Sequence, residues 1–271
     1  NIIFIFYINN LINMKIDLYT LCWNEMKIIP FVIDYWKNIK NQIDDFHVYV
    51  FDNGSDDGSI EAFSKYDWIT VCNFNSDGFN DLINIKIKNN VWKNSIGKSD
   101  YVIVCDLDEC LFCKDFKSFF DKIKKGKYTI CLPIWAEMFS ETFPVKNDEL
   151  LHKQVNKYCE GVSHVKRKIS VSKAILFDPN EISEINYNVG GHVCKPKGNI
   201  KWYKGDDLFI LHYKHLSIDY VLWRYKICNE RMSLINRLYN WGHQYWDKRE
   251  NIIKDFNEHL EKCLNIEELI K

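Results

Sequence analysis

This 271-residue sequence lacks several features that would assign it to a specialised class of protein. Its formal net charge is −1, so nucleic acid is not expected as a main partner. It shows no internal repeats and no linker of disordered composition, and no segment reads as transmembrane. Its ten cysteines follow no disulfide framework, which in a chain of this length is typical of a reducing cytosol. These absences favour one large globular domain in the cytoplasm.

Two short pairs of metal-binding residue types stand far apart in the chain. Cys110 and Cys113 form a C-x-x-C, and His212 and His215 form an H-x-x-H. The gap between the pairs is far longer than in a zinc finger, and neither pair has a second C-x-x-C nearby. Zinc is therefore not expected.

The first thirteen residues are apolar and rich in asparagine. They lack the basic flank and the small-residue cleavage site of a signal peptide, and they are too short to span a bilayer. We expect residues 1–13 to be a non-native or disordered extension, with Met14 as the true start. An extra edge strand and a weak membrane-surface anchor remain open alternatives.

The first half of the chain alternates between two patterns. Short apolar runs typical of buried strands are followed by stretches with apolar residues at helical spacing, such as Ile28, Val32, Tyr35 and Ile39. This order predicts an α/β fold whose sheet is mostly parallel, with helices on both faces. The predicted strands are 16–22, 46–51, 69–72 and 101–105.

The second half is less regular. A strand is predicted at 129–135, leading to Glu137, with further strands at 168–177 and, a short one, at 208–212. Amphipathic helices are predicted at 218–239 and 247–264. We therefore expect an α/β domain over residues 14–216 and a helical C-terminal extension, 217–271, packed on it. Pairing with a second copy, or a peripheral contact with a membrane that carries a lipid-linked acceptor, stays open for these helices.

Three carboxylates follow the fourth predicted strand directly: Asp106, Asp108 and Glu109. They repel one another and lose hydration when buried together, and a divalent cation with hard oxygen ligands is the usual remedy. Asp52 ends the second strand in a similar acidic turn. The carboxyl ends of parallel strands share one edge of a sheet, where ligands bind. A nucleoside diphosphate would bridge the two turns.

Three motifs carry a family resemblance. Thr20–Glu25, the turn Asp52–Ser59 (DNGSDDGS) and the D-x-D of Asp106 and Asp108 together resemble the family 2-like glycosyltransferases of the GT-A fold, a Rossmann-like fold of nucleotide-diphospho-sugar transferases. Four further segments are similar to a bacterial and viral branch often found near cell-surface polysaccharide genes. Those segments are Lys88–Lys93, Glu184–Tyr187, Gly190–His192 and Leu211–Lys214. The resemblance covers about residues 15 to 246.

The resemblance implies a metal-dependent transfer of a sugar from a nucleotide-diphosphate sugar to a hydroxyl of a glycan or a lipid-linked acceptor. Mn²⁺ or Mg²⁺ would be the cofactor, held by Asp106, Asp108 and His212. Asp106 would also reach the ribose. The remaining implied nucleotide-sugar contacts are Asp52 to the base or ribose, Lys93 to the diphosphate, and Glu25 from the first motif.

The implied reaction is inverting, with a carboxylate that removes the proton of the acceptor hydroxyl. The family's usual E-D pair is absent from its place in this chain. Glu137 is our first choice for the base, and Glu160, Asp206 and Asp207 are the alternatives.

Two other functions stay open. A haloacid-dehalogenase-like phosphatase has a similar D-x-D-x-T motif, but Cys110 stands where that motif needs Thr or Val, and the motif normally lies on the first strand. A catalytically inactive module that binds a glycan is the non-enzymatic alternative. The sequon Asn53–Ser55 lies inside the proposed nucleotide turn, which again suits a cytoplasmic protein, with the inner face of a membrane as the alternative location.

Overall fold

The described part of the chain comprises residues 14–160 and 173–271 of a computed structural model. The expected extension 1–13 and the first residues of the strand predicted at 168–177 lie outside it. The strands are β1 (Lys15–Cys22), β2 (Asp45–Asp52), β3 (Ile69–Asn73), β4 (Tyr101–Asp106), β5 (Glu109–Phe112), β6 (Ile130–Cys131), β7 (Ile134–Phe139), β8 (Lys157–Glu160), β9 (Leu176–Phe177), β10 (Ile182–Glu184), β11 (Lys197–Gly198), β12 (Trp202–Tyr203), β13 (Phe209–His215) and β14 (Leu264–Asn265). The helices are α1 (Ile29–Lys40), α2 (Ser59–Phe63), α3 (Asp81–Asn90), α4 (Phe116–Lys125), α5 (Ile218–Glu230), α6 (Leu234–Leu238), α7 (Arg249–Leu260) and α8 (Ile266–Leu269).

The first sheet has the strand order β12-β6-β9-β4-β1-β2-β3. Strands β4, β1, β2 and β3 run parallel to one another, and β9 is antiparallel to both of its neighbours. A strand in the middle of a parallel sheet is covered on both faces, which explains the nearly continuous burial of β1. The predicted α/β class with a mostly parallel sheet is therefore confirmed.

Helices cover both faces of this sheet, as predicted. Ile16 and Leu18 of β1 belong to the core that packs against α1 and α4. Tyr19 points to the opposite face, where it joins a second core with Trp92, in the 3₁₀ turn that follows α3. This alternation follows from the two-residue period of a strand.

One charged side chain is buried inside β1 and has hydrogen-bond partners. Asp17 accepts hydrogen bonds from the hydroxyls of Ser95 and Ser99, both at 2.5 Å, and the Ser95 hydroxyl also lies 2.6 Å from the Tyr19 hydroxyl. A buried carboxylate without such partners would be costly. The contacts anchor the segment before β4 to β1.

The second sheet has the strand order β14-β8-β7-β13-β5. The chain passes into it directly after the carboxyl end of β4. The chain leaves the first sheet at Asp106, turns through Leu107 and Asp108, and enters the second sheet at Glu109. Strand β13 is parallel to β7 and antiparallel to β5. The acidic turn thus lies at the junction of the two sheets.

The structure differs from the sequence-based prediction at the strand expected over 129–135. The strand is split into β6 and β7 around Leu132 and Pro133, because a proline has no N–H to donate to a strand ladder. Glu137 consequently lies within β7 and not after it. No helix in residues 14–160 and 173–271 is long and apolar enough to cross a membrane.

We expect Phe177→Ala to lower the free energy of unfolding by about 3–5 kcal/mol. Phe177 is fully buried in the second core and meets the Trp92 ring edge-on, with 5.0 Å between ring centroids. Urea unfolding measures the loss. Val145→Ala is the control, because Val145 is exposed and its truncation should change stability by less than about 0.5 kcal/mol. Equal effects of the two substitutions would contradict the packing described here.

Candidate functional site

The carboxyl ends of the parallel strands bring the predicted motifs to one edge. Cys22 lies beside Asp52 in the β1–β2 register, and Leu21 lies beside Asp106 in the β1–β4 register. The turn after β2 and the turn after β4 therefore flank the end of β1. This is the edge at which open α/β sheets bind ligands.

The Asp52 side chain accepts hydrogen bonds from the turn that follows it. It is buried, one carboxylate oxygen accepts from the backbone N–H groups of Gly54 and Ser55 at 2.9 Å, and the other accepts from the Ser55 hydroxyl at 2.5 Å. The turn is also attached to the loop after β1, where the Asn24 amide exchanges two hydrogen bonds with Asp56. These contacts fix the shape of the turn.

Asp106 lies between two lysines. Its carboxylate pairs with Lys88 from α3 and, at 2.8 Å, with Lys173. Burial would raise the pKa of Asp106, but the two ammonium groups outweigh this effect and hold it well below its usual range. About a third of the side chain stays exposed, so it remains accessible to a ligand.

Lys173 also pairs with Glu109, which is almost fully buried. A Glu109 oxygen accepts the backbone N–H of Asp106 at 3.0 Å. Burial raises the pKa of Glu109, against the effect of Lys173. The Lys173 ammonium therefore joins two carboxylates of the acidic turn.

Asp108 faces the C-terminal half of the chain. Its Oδ2 lies 3.2 Å from Arg224 of α5 and 3.5 Å from Nε2 of His212. Burial raises the pKa of Asp108, but Arg224 and His212 outweigh it and hold the pKa well below its usual range. Arg224 also binds Glu25 at 2.9 Å; burial raises the pKa of Glu25 to about 7, although Arg224 lowers it.

His212 lies between two carboxylates in the second sheet. It is directly opposite Glu109 on β5 and Glu137 on β7. Its Nδ1 lies 2.8 Å from Oε2 of Glu137, so Nε2 is the nitrogen directed at Asp108. Burial lowers the pKa of His212, but Glu137 and Asp108 raise it to about 10. The position between Glu137 and Asp108 favours a positive charge.

Glu137 also binds a second histidine. Its Oε1 lies 2.9 Å from Nδ1 of His215, and its Oε2 accepts the Trp135 indole N–H at 3.1 Å. Burial would raise the pKa of Glu137, but His212 and His215 hold it well below its usual range. Glu137, His212 and His215 line a cavity of about 230 Å³, whose far side is formed by the helical C-terminal segment.

Asp108 and His212, once the imidazole has lost its second proton, could contribute two ligands to a divalent ion that is shared with a substrate. In residues 14–160 and 173–271, no three His, Cys, Asp or Glu side chains are grouped as a complete protein-only metal site. Asp108 and His212 nevertheless converge on one point, and Glu137 orients the imidazole as carboxylates do for metal-bound histidines. Mg²⁺ is commonly bound through one or two protein ligands plus substrate phosphates.

Several predicted residues lie elsewhere. Lys93 binds both carboxylate oxygens of Glu184 at 2.8 Å, and Lys88, five positions earlier, reaches Asp106 instead. Asp206 and Asp207 lie just before the amino end of β13. Asp207 pairs there with Lys122 of α4. The side chain of Glu160 is outside the described part of the structure.

Sequence reasoning missed three cations of the site. Lys88 lies in the segment Lys88–Lys93, which is similar to family 2-like glycosyltransferases, so the sequence did contain a signal for this residue. Lys173 and Arg224 stand in no motif, and only the fold brings them to the acidic turn.

No protein-family model and no curated protein matches this chain. Among solved structures, it is similar to S. aureus TarS 1–349 in complex with UDP, with 17% identity, 61% of this chain and 47% of that chain covered, and a TM-score of 0.37. It is also similar to 4-diphosphocytidyl-2C-methyl-D-erythritol synthase from Anaerococcus prevotii, with 14% identity, 62% and 72% covered, and a TM-score of 0.34. The match spans less than half of the TarS chain.

We expect Lys173→Met to lower the free energy of unfolding by about 3–5 kcal/mol at pH 7, because it leaves the buried Glu109 carboxylate without its cation. Without the ammonium, burial raises the pKa of Glu109 further above its unfolded value. The folded variant then takes up protons as the pH falls, and the loss shrinks between pH 7 and pH 5.

Urea unfolding at both pH values, with EDTA present, measures this effect. Lys124→Met is the matched control, because Lys124 forms a more exposed pair with Asp100, a kind of pair that contributes up to about 1 kcal/mol. A loss that is the same at both pH values would count against the charge pairing.

Proposed function

We propose that this chain is a glycosyltransferase of the GT-A type that moves a sugar from a nucleoside-diphosphate sugar to an acceptor hydroxyl. The observation that carries the proposal is the convergence of Asp108 Oδ2 and His212 Nε2, 3.5 Å apart, with Glu137 hydrogen-bonded behind the imidazole. This pair lies at the sheet edge that also holds the Asp52–Ser59 turn. The resemblance of the motifs to family 2-like enzymes supports the same function.

Asp108 and His212 would hold Mn²⁺ or Mg²⁺ together with oxygens of the donor diphosphate. The ion would neutralise charge on the leaving nucleoside diphosphate. Asp106, held by Lys88 and Lys173, keeps a partly exposed carboxylate that could contact the ribose. The two lysines also place positive charge beside the expected position of the diphosphate.

Asp52 and Glu25 contribute to donor binding through position. Asp52 fixes the turn that would face the nucleoside, because both of its oxygens already accept hydrogen bonds from that turn. Glu25 holds Arg224 against Asp108. Lys93 is directed at Glu184, so Lys88 is the better candidate for a contact with the diphosphate.

Inverting transfer requires the acceptor hydroxyl to attack the anomeric carbon from the side opposite the diphosphate. The cavity beyond His212 offers a place for that acceptor.

The two alternative functions, a phosphatase and an inactive glycan-binding module, differ from a glycosyltransferase in turnover. A phosphatase would release phosphate from small phosphate esters, and an inactive glycan-binding module would bind without any turnover.

We expect one class of nucleotide sugar to raise the melting temperature in the presence of Mn²⁺. The probes are UDP-, GDP- and dTDP-sugars. At about 100 times the Kd, the rise should be roughly 5–10 °C. Asp108→Asn should abolish it, because the substitution removes a charged ligand.

Thermal unfolding with Mn²⁺ or with EDTA measures the shift. Asp67→Asn is the control, because Asp67 is exposed and precedes β3 at the opposite edge of the sheet. The proposal is wrong if no nucleotide sugar shifts the wild type. The metal assignment is wrong if the shift survives EDTA or Asp108→Asn.

We propose in addition that α6 contacts a membrane that carries a lipid-linked acceptor. Leu234 and Leu238 are 75% and 78% exposed, and the exposed Tyr239 stacks on Trp241 with 4.9 Å between ring centroids. Exposed leucines beside Tyr and Trp are typical of segments that lie in a bilayer interface. Arg237, also exposed, adds positive charge to the same surface.

We expect the double substitution Leu234→Ser/Leu238→Ser to reduce binding to vesicles of phosphatidylcholine and phosphatidylglycerol at least about tenfold, because apolar side chains can no longer insert. Cosedimentation measures the binding. Val145→Ser removes an equally exposed apolar side chain from another surface and should leave binding unchanged. Vesicle binding that is absent, or that is equal in both variants, would contradict the contact.

A further inference from the structure

A bulge in β13 places two histidines against one carboxylate. The β13–β7 register pairs His212 with Glu137 and then shifts before pairing His215 with Phe139. Residues three apart on a regular strand point to opposite faces, and the bulge removes that difference. Both imidazoles therefore reach Glu137, His212 at 2.8 Å and His215 at 2.9 Å.

The hydrogen bond to Glu137 fixes which nitrogen of His215 is available. A carboxylate only accepts hydrogen bonds, so Nδ1 of His215 carries the proton in this contact. In a neutral ring the lone pair then lies on Nε2. The ring stacks on Phe139 with 4.4 Å between centroids and an interplanar angle of 2°, which holds its plane.

Glu137 is badly placed to remove a proton itself. Its two oxygens are occupied by three donors, from Trp135, His212 and His215, and little of the side chain is exposed. His215 lines the same cavity of about 230 Å³ as Glu137 and His212. Burial lowers the pKa of His215, although Glu137 raises it, and this favours the neutral ring.

We infer that His215 is the general base for the acceptor and that the cavity it lines is the acceptor site, for a hydroxyl-bearing molecule such as a sugar. In the step, the acceptor O–H bond breaks and its proton goes to Nε2 of His215. The acceptor oxygen bonds to the anomeric carbon, and the bond from that carbon to the diphosphate oxygen breaks, with its electron pair leaving on the diphosphate. Glu137 is a positioning residue that stabilises the resulting imidazolium.

This inference rests on the proposed function and adds separate roles for the two histidines that Glu137 binds. Glu137 orients His212 towards the donor side and His215 towards the acceptor side. One carboxylate thus sets the relative position of the donor and the base. Glu137→Gln should disturb both donor binding and turnover, whereas a change at His215 should affect turnover alone.

The test uses the full chain, Mn²⁺, and the nucleotide sugar that gives the largest thermal shift. Calorimetry gives the donor Kd, and release of nucleoside diphosphate to water gives turnover, with water as the acceptor. His215→Gln should keep the Kd within about twofold and lower turnover at least about 100-fold. Added imidazole should restore part of the turnover of His215→Ala. His47→Gln is the control, because His47 lies on β2 and bonds Thr70.

The outcomes separate the two proposals. Wild-type turnover in His215→Gln, or no rescue of a folded His215→Ala by imidazole, overturns the role of His215 and leaves the donor site intact. A wild type that binds a donor but releases no diphosphate overturns it as well. A wild type that binds no donor overturns the proposed function first, and this inference with it.

Discussion

Repulsion among carboxylates at the junction of two sheets is the constraint on which the rest of the structure depends. The acidic turn after β4 and Glu137 of β7 bring like charges into a largely buried place, where each needs a partner of opposite charge. Separate parts of the chain supply those partners. They are Lys88 from α3, Lys173 before β9, Arg224 from α5 and His212 from β13.

The fold and the location of the site follow from local patterns. Apolar runs with a two-residue period, separated by helical stretches, are enough to predict parallel strands. Acidic residues placed directly after such runs then fall at one edge of the sheet by geometry alone. Asp52 and Asp106 could be placed there from the sequence, since strand ends in a parallel sheet share an edge.

The partners of those residues could not be predicted from local patterns, because their proximity is tertiary. Arg224 meets Glu25, 199 positions earlier in the chain, and no spacing rule reaches that far. Lys93 was expected to contact a diphosphate; in the structure it binds Glu184, and it is Lys88 that reaches Asp106. The pairing of β13 with β7, and the bulge within it, likewise decide that Glu137 serves two histidines, and neither is visible in the residues themselves.

The reach of Arg224 from α5 has a consequence for how such a chain can be shortened. A fragment that ended after β13 would retain the residues of all three principal motifs. It would nevertheless remove the Arg224 guanidinium that lies between the carboxylates of Glu25 and Asp108. Motif content is thus a poor guide to a minimal folded fragment here, and the helical segment is better treated as one wall of the candidate site than as an accessory.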